Sequence, residues 1–277
     1  HENPHNGLSV RQKKQSLGNK KQSNLCITRI ITGINRGGCM YNEKSNYAVW
    51  HRLVDISAIS LFFAGILFLL WDMPGAPQRL PVWGMLTLLL SAYLAADFVS
   101  GLVHFLADSF GRVETPIFGR LFIYPFREHH ADPLAITRHS FLETNGANSL
   151  ISLPVLGAVL ALTDAQADLF FRLWVCFFLL AIFLTNQIHQ WSHQAHPVAP
   201  IRLLQRCGLI LTPKGHAIHH TAPHDTYFCI TSGWLNPVLT SLRFFPALKA
   251  TIVFSCGICA KISGKAGRDS QTPSNTM

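Results

Sequence analysis

Apolar and polar positions divide the chain into blocks. Residues 1 to 47 are polar and basic, rich in Asn, Gln, Lys and Gly, and lack hydrophobic periodicity, so they read as a disordered basic N-terminal tail. Four apolar stretches follow, at 53–71, 80–96, 147–163 and 169–188. The first carries only Asp55, the second and third no charge, and the fourth only Arg172. At about 1.5 Å of rise per residue, each helix crosses or nearly crosses a hydrocarbon core of about 30 Å. Pro154 interrupts the third and gives it the weakest signal of the four. The pattern predicts an all-α membrane protein of about four transmembrane helices, with a membrane domain over 48–245 and a poorly ordered C-terminal tail over 246–277. The chain starts at His1 and its first methionine is Met40, so a translated leader is expected within residues 1–39. No apolar core precedes residue 53, which argues against a secretory signal.

Composition sharpens the class. Only 13% of residues are charged and 49% are apolar, with a mean hydropathy of +0.25; soluble domains carry about 25% charge. The net charge of +9 lies in the flanks. Residues 1–52 hold nine basic and two acidic side chains, 53–240 nine and eleven, and 241–277 five and one. A nucleic-acid protein places its cations on a folded face, so nucleic acid is not an expected partner. The short loops 72–79 and 164–168 hold a single Arg between them, whereas Arg112, Arg120, Arg127, Arg138, Arg202, Arg206 and Lys214 fall on the other side. The positive-inside rule then puts both termini, and residues 97–146 and 189–277, in the cytoplasm. Seven scattered cysteines form no disulfide framework and suit a reducing compartment. Cys256 and Cys259 lack the second pair that a structural zinc site needs and read as free thiols.

The histidines carry the candidate chemistry. Eleven of 14 lie between 104 and 224, all in the two segments assigned to the cytoplasm. Residues at i, i+3 and i+4 share a helix face. Asp97, Gly101, His104 and Asp108 follow this rule at the end of the second span, and Asn186, His189, His193 and His196 at the end of the fourth. His216, His219 and His220 form a third set. His129 and His130 form a fourth, although neighbours on a helix diverge by about 100°. Each histidine alone reads more readily as a polar residue satisfied by its neighbours. Eight imidazoles, at His104, His129, His130, His189, His193, His216, His219 and His220, with Asp108 nearby, exceed the four that one zinc ion requires and point to two metal ions. His139 and His224 stand apart, as support for ligands or as solvent-exposed groups. Asp97, costly at membrane depth if unpaired, is expected to bond a polar neighbour.

The strings DFVSGLVHFLADSFG (97–111), PFREHHADPLAITRHSFLETNGAN (125–148), NQIHQWSH (186–193) and HAIHHTAPHDTYFCITSGWLN (216–236) resemble the Kua family of membrane lipid desaturases over roughly residues 90–240. The resemblance implies oxygen-dependent desaturation of the 1-O-alkyl chain of a plasmanyl phospholipid, plasmanylethanolamine, to the vinyl ether of a plasmalogen. Its histidine boxes fall on His189–His193 and His216–His220; His104, Asp108, His129, His130 and Phe126 also match positions tied to activity, with Phe126 and Asp108 as the catalytic candidates. Hydrogen removal from an unactivated methylene needs a redox metal, which zinc is not, so the resemblance implies two iron ions. It further implies a membrane electron donor such as cytochrome b5, and a membrane that is endoplasmic reticulum in a eukaryote or the inner membrane in a bacterium. Phe122, Tyr124 and Phe126 are candidates to line the alkyl chain's route, though lipid-facing packing explains them as well. His196 has no counterpart in the animal pattern. Two other readings remain open: a desaturase or hydroxylase of an acyl chain in another phospholipid, and a zinc-binding membrane scaffold or signalling protein.

Overall fold

A computed structural model describes residues 49–73, 80–116, 119 and 123–255. The N-terminal tail, Phe122, Arg120, Cys256 and Cys259 lie outside the described residues. Four long helices form the body: α1 (Val49–Trp71), α2 (Val82–Ser109), α4 (Phe141–Leu162) and α5 (Leu169–Ser192). All four are long and apolar enough to cross a membrane. Short helices complete the chain: α3 (Tyr124–Ala131), α6 (Ala199–Arg206), α7 (Pro213–His219), α8 (Asn236–Ser241) and α9 (Phe244–Ser255). No strand occurs among the described residues. The expected C-terminal tail opens as helix, since residues 246–255 belong to α9.

Local chemistry explains the helix limits. Ser140 accepts from the Glu143 backbone N–H while Glu143 accepts from the Ser140 N–H, a capping box that starts α4 six residues before the apolar stretch. α4 runs on through Pro154 without ending. α2 continues 13 residues past the apolar stretch, to Ser109, and thereby carries His104 and Asp108 on the same rod that spans the membrane.

α1 packs chiefly on α4, α2 on α5 and α4 on α5. Phe62, Ile66, Leu69, Leu156, Val159, Leu173, Cys176, Leu179 and Phe183 form the apolar core of α1, α4 and α5. At one end, Arg172 at the start of α5 is buried and donates to Asp72 at 2.7 Å, just after α1. The opposite end is polar. There Asn145 of α4 donates to Gln187 of α5 at 3.1 Å, and Gly146 meets Asp55 of α1 where a Cβ would collide.

Asp97, expected to pair, accepts four backbone N–H bonds. Thr231, Ser232 and Gly233 donate to Oδ1 at 3.1, 2.8 and 2.9 Å, and Leu235 to Oδ2 at 3.2 Å. A carboxylate buried in α2 thus anchors the segment after α7. Gly101, one turn on, lets the same segment approach, since a Cβ there would stand 2.6 Å from Cys229 Sγ. Asp97→Ala leaves these donors without their acceptor, at about 1–3 kcal/mol for each that stays buried. The thermal unfolding midpoint in detergent is expected to fall by several degrees, and an unchanged midpoint contradicts the anchoring role.

Candidate metal centre

The polar end of the bundle gathers all eight predicted histidines. His104 comes from α2, His129 and His130 from α3, His189 and His193 from the end of α5, and His216, His219 and His220 from α7 and its C-cap. Their donor atoms form two groups able to hold a metal ion, with all donors of a group within 4.8 Å of one another. One comprises His129, His189, His193, His216 and His220; the other His104, His129, His130 and His219.

In the first group His216 Nε2 stands 2.9 Å from His189 Nε2, 2.9 Å from His193 Nε2 and 3.0 Å from His220 Nε2. One imidazole nitrogen offers either a proton or a lone pair, so these three contacts cannot all be hydrogen bonds. Bonds of about 2.0–2.1 Å to one ion separate neighbouring ligand atoms by about 3–3.4 Å. The observed spacing is therefore compatible with ligands around a shared cation.

In the second group Asp108 Oδ2 lies 3.3 Å from His104 Nε2, 3.0 Å from His130 Nε2 and 3.4 Å from His219 Nε2. The carboxylate so brings negative charge to an otherwise neutral ligand set. Backbone carbonyls orient the rings from behind. His104 Nδ1 donates to the Phe228 carbonyl at 3.0 Å, His129 Nδ1 to Pro125 at 3.3 Å and His219 Nδ1 to Thr226 at 2.8 Å. With the proton on Nδ1, each Nε2 keeps its lone pair for a metal. The buried Nε2 atoms of His104 and His129 have no hydrogen-bond partner, which fits that use.

Burial keeps His129, His193, His216 and His220 neutral. It holds His129 and His216 well below the ordinary histidine range, with neighbouring imidazoles adding to the effect. His193 is pushed down to about 4 and His220 to about 3, again by burial first. Their lone pairs are thus free for a metal at neutral pH.

Phe126 lies beside the second group, its ring centroid 5.0 Å from that of His104, and packs on Ile188, Ile201, Ile210, Leu211 and Ile230. Tyr124 instead donates to Glu128 at 2.7 Å. His224 stays outside both groups; its Nδ1 donates to the His219 carbonyl at 3.0 Å. His139 also stays outside, contributing its carbonyl to Gln190. α5 ends at Ser192, so His196 leaves the helical stripe and is exposed.

Several supports escaped the sequence reading. Gln190 Nε2 donates to the carbonyls of Ile136 and His139 at 2.8 and 3.0 Å, and its Oε1 accepts from Gln187 at 2.6 Å. This buried chain fixes the segment after α3 against α5, and hence His129 and His130 against His189. Arg127 donates to the carbonyls of Phe110 and Gly111, which docks α3 on the end of α2. The signal for the glutamines was their place on the His189 turn; for Arg127 it was its neighbours in the Phe-Arg-Glu-His-His string.

Comparison with known proteins adds a family. The lipid desaturase domain matches residues 93–262, more than half of the chain. Plasmanylethanolamine desaturase of Myxococcus xanthus is 44% identical over 213 residues, covering 75% of this chain and 74% of that protein. Plasmanylethanolamine desaturase 1 of Mus musculus is 50% identical over 166 residues, 57% of this chain and 61% of its own length. The chloroplastic fatty acid desaturase 4 of Arabidopsis thaliana is 36% identical over 172 residues and is matched over about half of its length. No solved structure matches.

The two groups share His129, so His129→Ala is expected to lower metal content at both sites, whereas His220→Ala lowers it at one, as read by metal analysis of purified protein. Equal losses in the two variants contradict the shared position. Acid supplies a second check. The unfolded chain's imidazoles take up protons below about pH 6.5 while folded His129, His193, His216 and His220 stay neutral, so metal-free protein loses stability as pH falls from about 6.5 toward 4. A flat thermal midpoint over that window contradicts neutral burial.

Proposed function

We propose that this chain, which belongs to the Kua family of lipid desaturases and is therefore an oxidoreductase, desaturates the 1-O-alkyl chain of plasmanylethanolamine to the vinyl ether of a plasmalogen, using molecular oxygen and a histidine-held pair of iron ions. The observation that carries the reading is the convergence of eight imidazoles into two adjoining groups at one end of four membrane-length helices. When bound, redox-active metal supplies the oxygen chemistry needed to take hydrogen from a methylene, which acid-base side chains do not provide. Iron rather than zinc follows from that requirement.

The chain's own residues do the rest. His129, His189, His193, His216 and His220 would hold one ion and His104, His129, His130 and His219 the other, with His129 shared and Asp108 beside His104, His130 and His219. Asp108 offsets cationic charge that neutral imidazoles leave uncompensated. Phe126, with the Ile188 and Ile230 cluster behind it, gives an apolar wall next to His104 that excludes water and seats the alkyl chain beside the metals. The exposed cations Arg112, Arg138, Arg202, Arg206 and Lys214 support a cytoplasmic orientation for this end. That face suits an acidic membrane-bound electron donor such as cytochrome b5. The membrane is endoplasmic reticulum in a eukaryotic host and the inner membrane in a bacterium.

Expression in a plasmalogen-deficient host tests the reaction. Acid-labile vinyl ethers are expected to reappear with the wild-type chain and to be absent with His189→Ala, His193→Ala, His219→Ala or His220→Ala. Near-normal production by any two of these variants overturns the assignment. Formation of new acyl double bonds or hydroxyl groups without vinyl ether identifies a different lipid reaction.

A further inference from the structure

A cavity of about 190 Å³ adjoins the metal centre on the side of α8 and α9, lined by Asp225, Thr226, Leu239, Thr240, Arg243 and Phe245 with Pro246. Its walls are continuous with the site. The Thr226 carbonyl receives the Nδ1 proton of His219, and Leu239 and Phe245 belong to the cluster with Phe105 and Phe228 that backs His104 and His219. Asp225 and Arg243 both face the cavity, and no ion pair joins them among the described residues. Both side chains are exposed at the rim, and opposite charges at the mouth of one small volume, not paired with each other, suit a ligand that is itself zwitterionic.

The surroundings place this volume at a lipid boundary. Val238 and Leu242 are 52% and 69% exposed beside it. α9 is apolar but only about 18 Å long, too short to cross the membrane, and it leaves Val253 and Phe254 exposed. Cavities for whole drug-sized ligands run to about 300 Å³ and above, so this one takes a polar headgroup and leaves the chains outside.

We propose that the cavity is the headgroup subsite for a phosphoethanolamine lipid, with Arg243 on the phosphate and Asp225 on the primary ammonium; this deepens, and rests on, the desaturase reading above. Guanidinium pairs phosphate through two N–H donors. A carboxylate accepts from the N–H groups of a primary ammonium, whereas a quaternary ammonium has none and is met by aromatic faces. Phe245 is the aromatic side chain lining this cavity, and it is buried in the core cluster. The subsite therefore selects ethanolamine over choline. It also sets the glycerol beside the His219 side of the metal centre.

The test uses the purified full chain in detergent and calorimetric titration with a short-chain 1-O-alkyl phosphoethanolamine lipid, its phosphocholine counterpart, soluble glycerophosphoethanolamine and inorganic phosphate. Wild type is expected to bind the ethanolamine lipid about tenfold more tightly than the choline lipid. Asp225→Asn brings that ratio close to one, and Asp225→Glu restores it. Arg243→Gln weakens both lipids about tenfold, and Arg243→Lys recovers part of the loss. Metal content stays at the wild-type level in all four variants, which separates a lost subsite from a lost fold. Glycerophosphoethanolamine competing for the site supports headgroup recognition, whereas inorganic phosphate binding as tightly as the lipid, or unchanged ratios in Asp225→Asn and Arg243→Gln, overturns it. If wild type makes no vinyl ether but the binding ratios hold, the reaction is wrong and the subsite stands; vinyl ether formation with unaltered ratios rejects the subsite alone.

Discussion

Nitrogen lone pairs held about 3 Å apart repel unless something positive stands between them, and this constraint organises the polar end of the protein. His216 Nε2 meets three other ring nitrogens at 2.9 to 3.0 Å, more contacts than one nitrogen can turn into hydrogen bonds. Burial denies His193, His216 and His220 the alternative of protonation. The surrounding structure fixes the elements that carry these rings: the Gln187–Gln190 chain on α5 ties the His189 turn to the segment after α3, and carbonyls of Pro125, Thr226 and Phe228 hold the neighbouring rings of His129, His219 and His104.

The membrane body and the histidine clusters were legible in the sequence for different reasons. Helix existence follows from apolar length, and all four stretches became long helices. Their ends did not follow, because caps and polar extensions lie outside the hydropathy signal: Ser140 and Glu143 open α4 early, and α2 runs on to Ser109. The i, i+3, i+4 spacing singled out the α5 and α7 histidines that the fold brings together. The 100° divergence of His129 and His130 looked like an obstacle, yet it is what lets α3 serve two groups at once, with His129 in both and His130 in one.

What stayed hidden is the support around these histidines. Gln187, Gln190 and Asn145 read as isolated polar interruptions of apolar helices, and nothing in their spacing says that they meet across α4 and α5. Arg127 was counted for its charge, whereas its guanidinium acts on the Phe110 and Gly111 carbonyls. Such contacts depend on tertiary register, which a single sequence does not display. Asp97 is the intermediate case: the cost of an unpaired carboxylate foretold a partner, but not that the partner would be the backbone of residues 231–235.

The clustered histidines are spread from His104 on α2 to His220 after α7, with α4 and most of α5 between His130 and His189. During synthesis neither ligand group is complete until all four long helices have been made and α7 has followed them. A metal ion held by these groups would therefore be captured last in biogenesis, and would join segments that were inserted one after another.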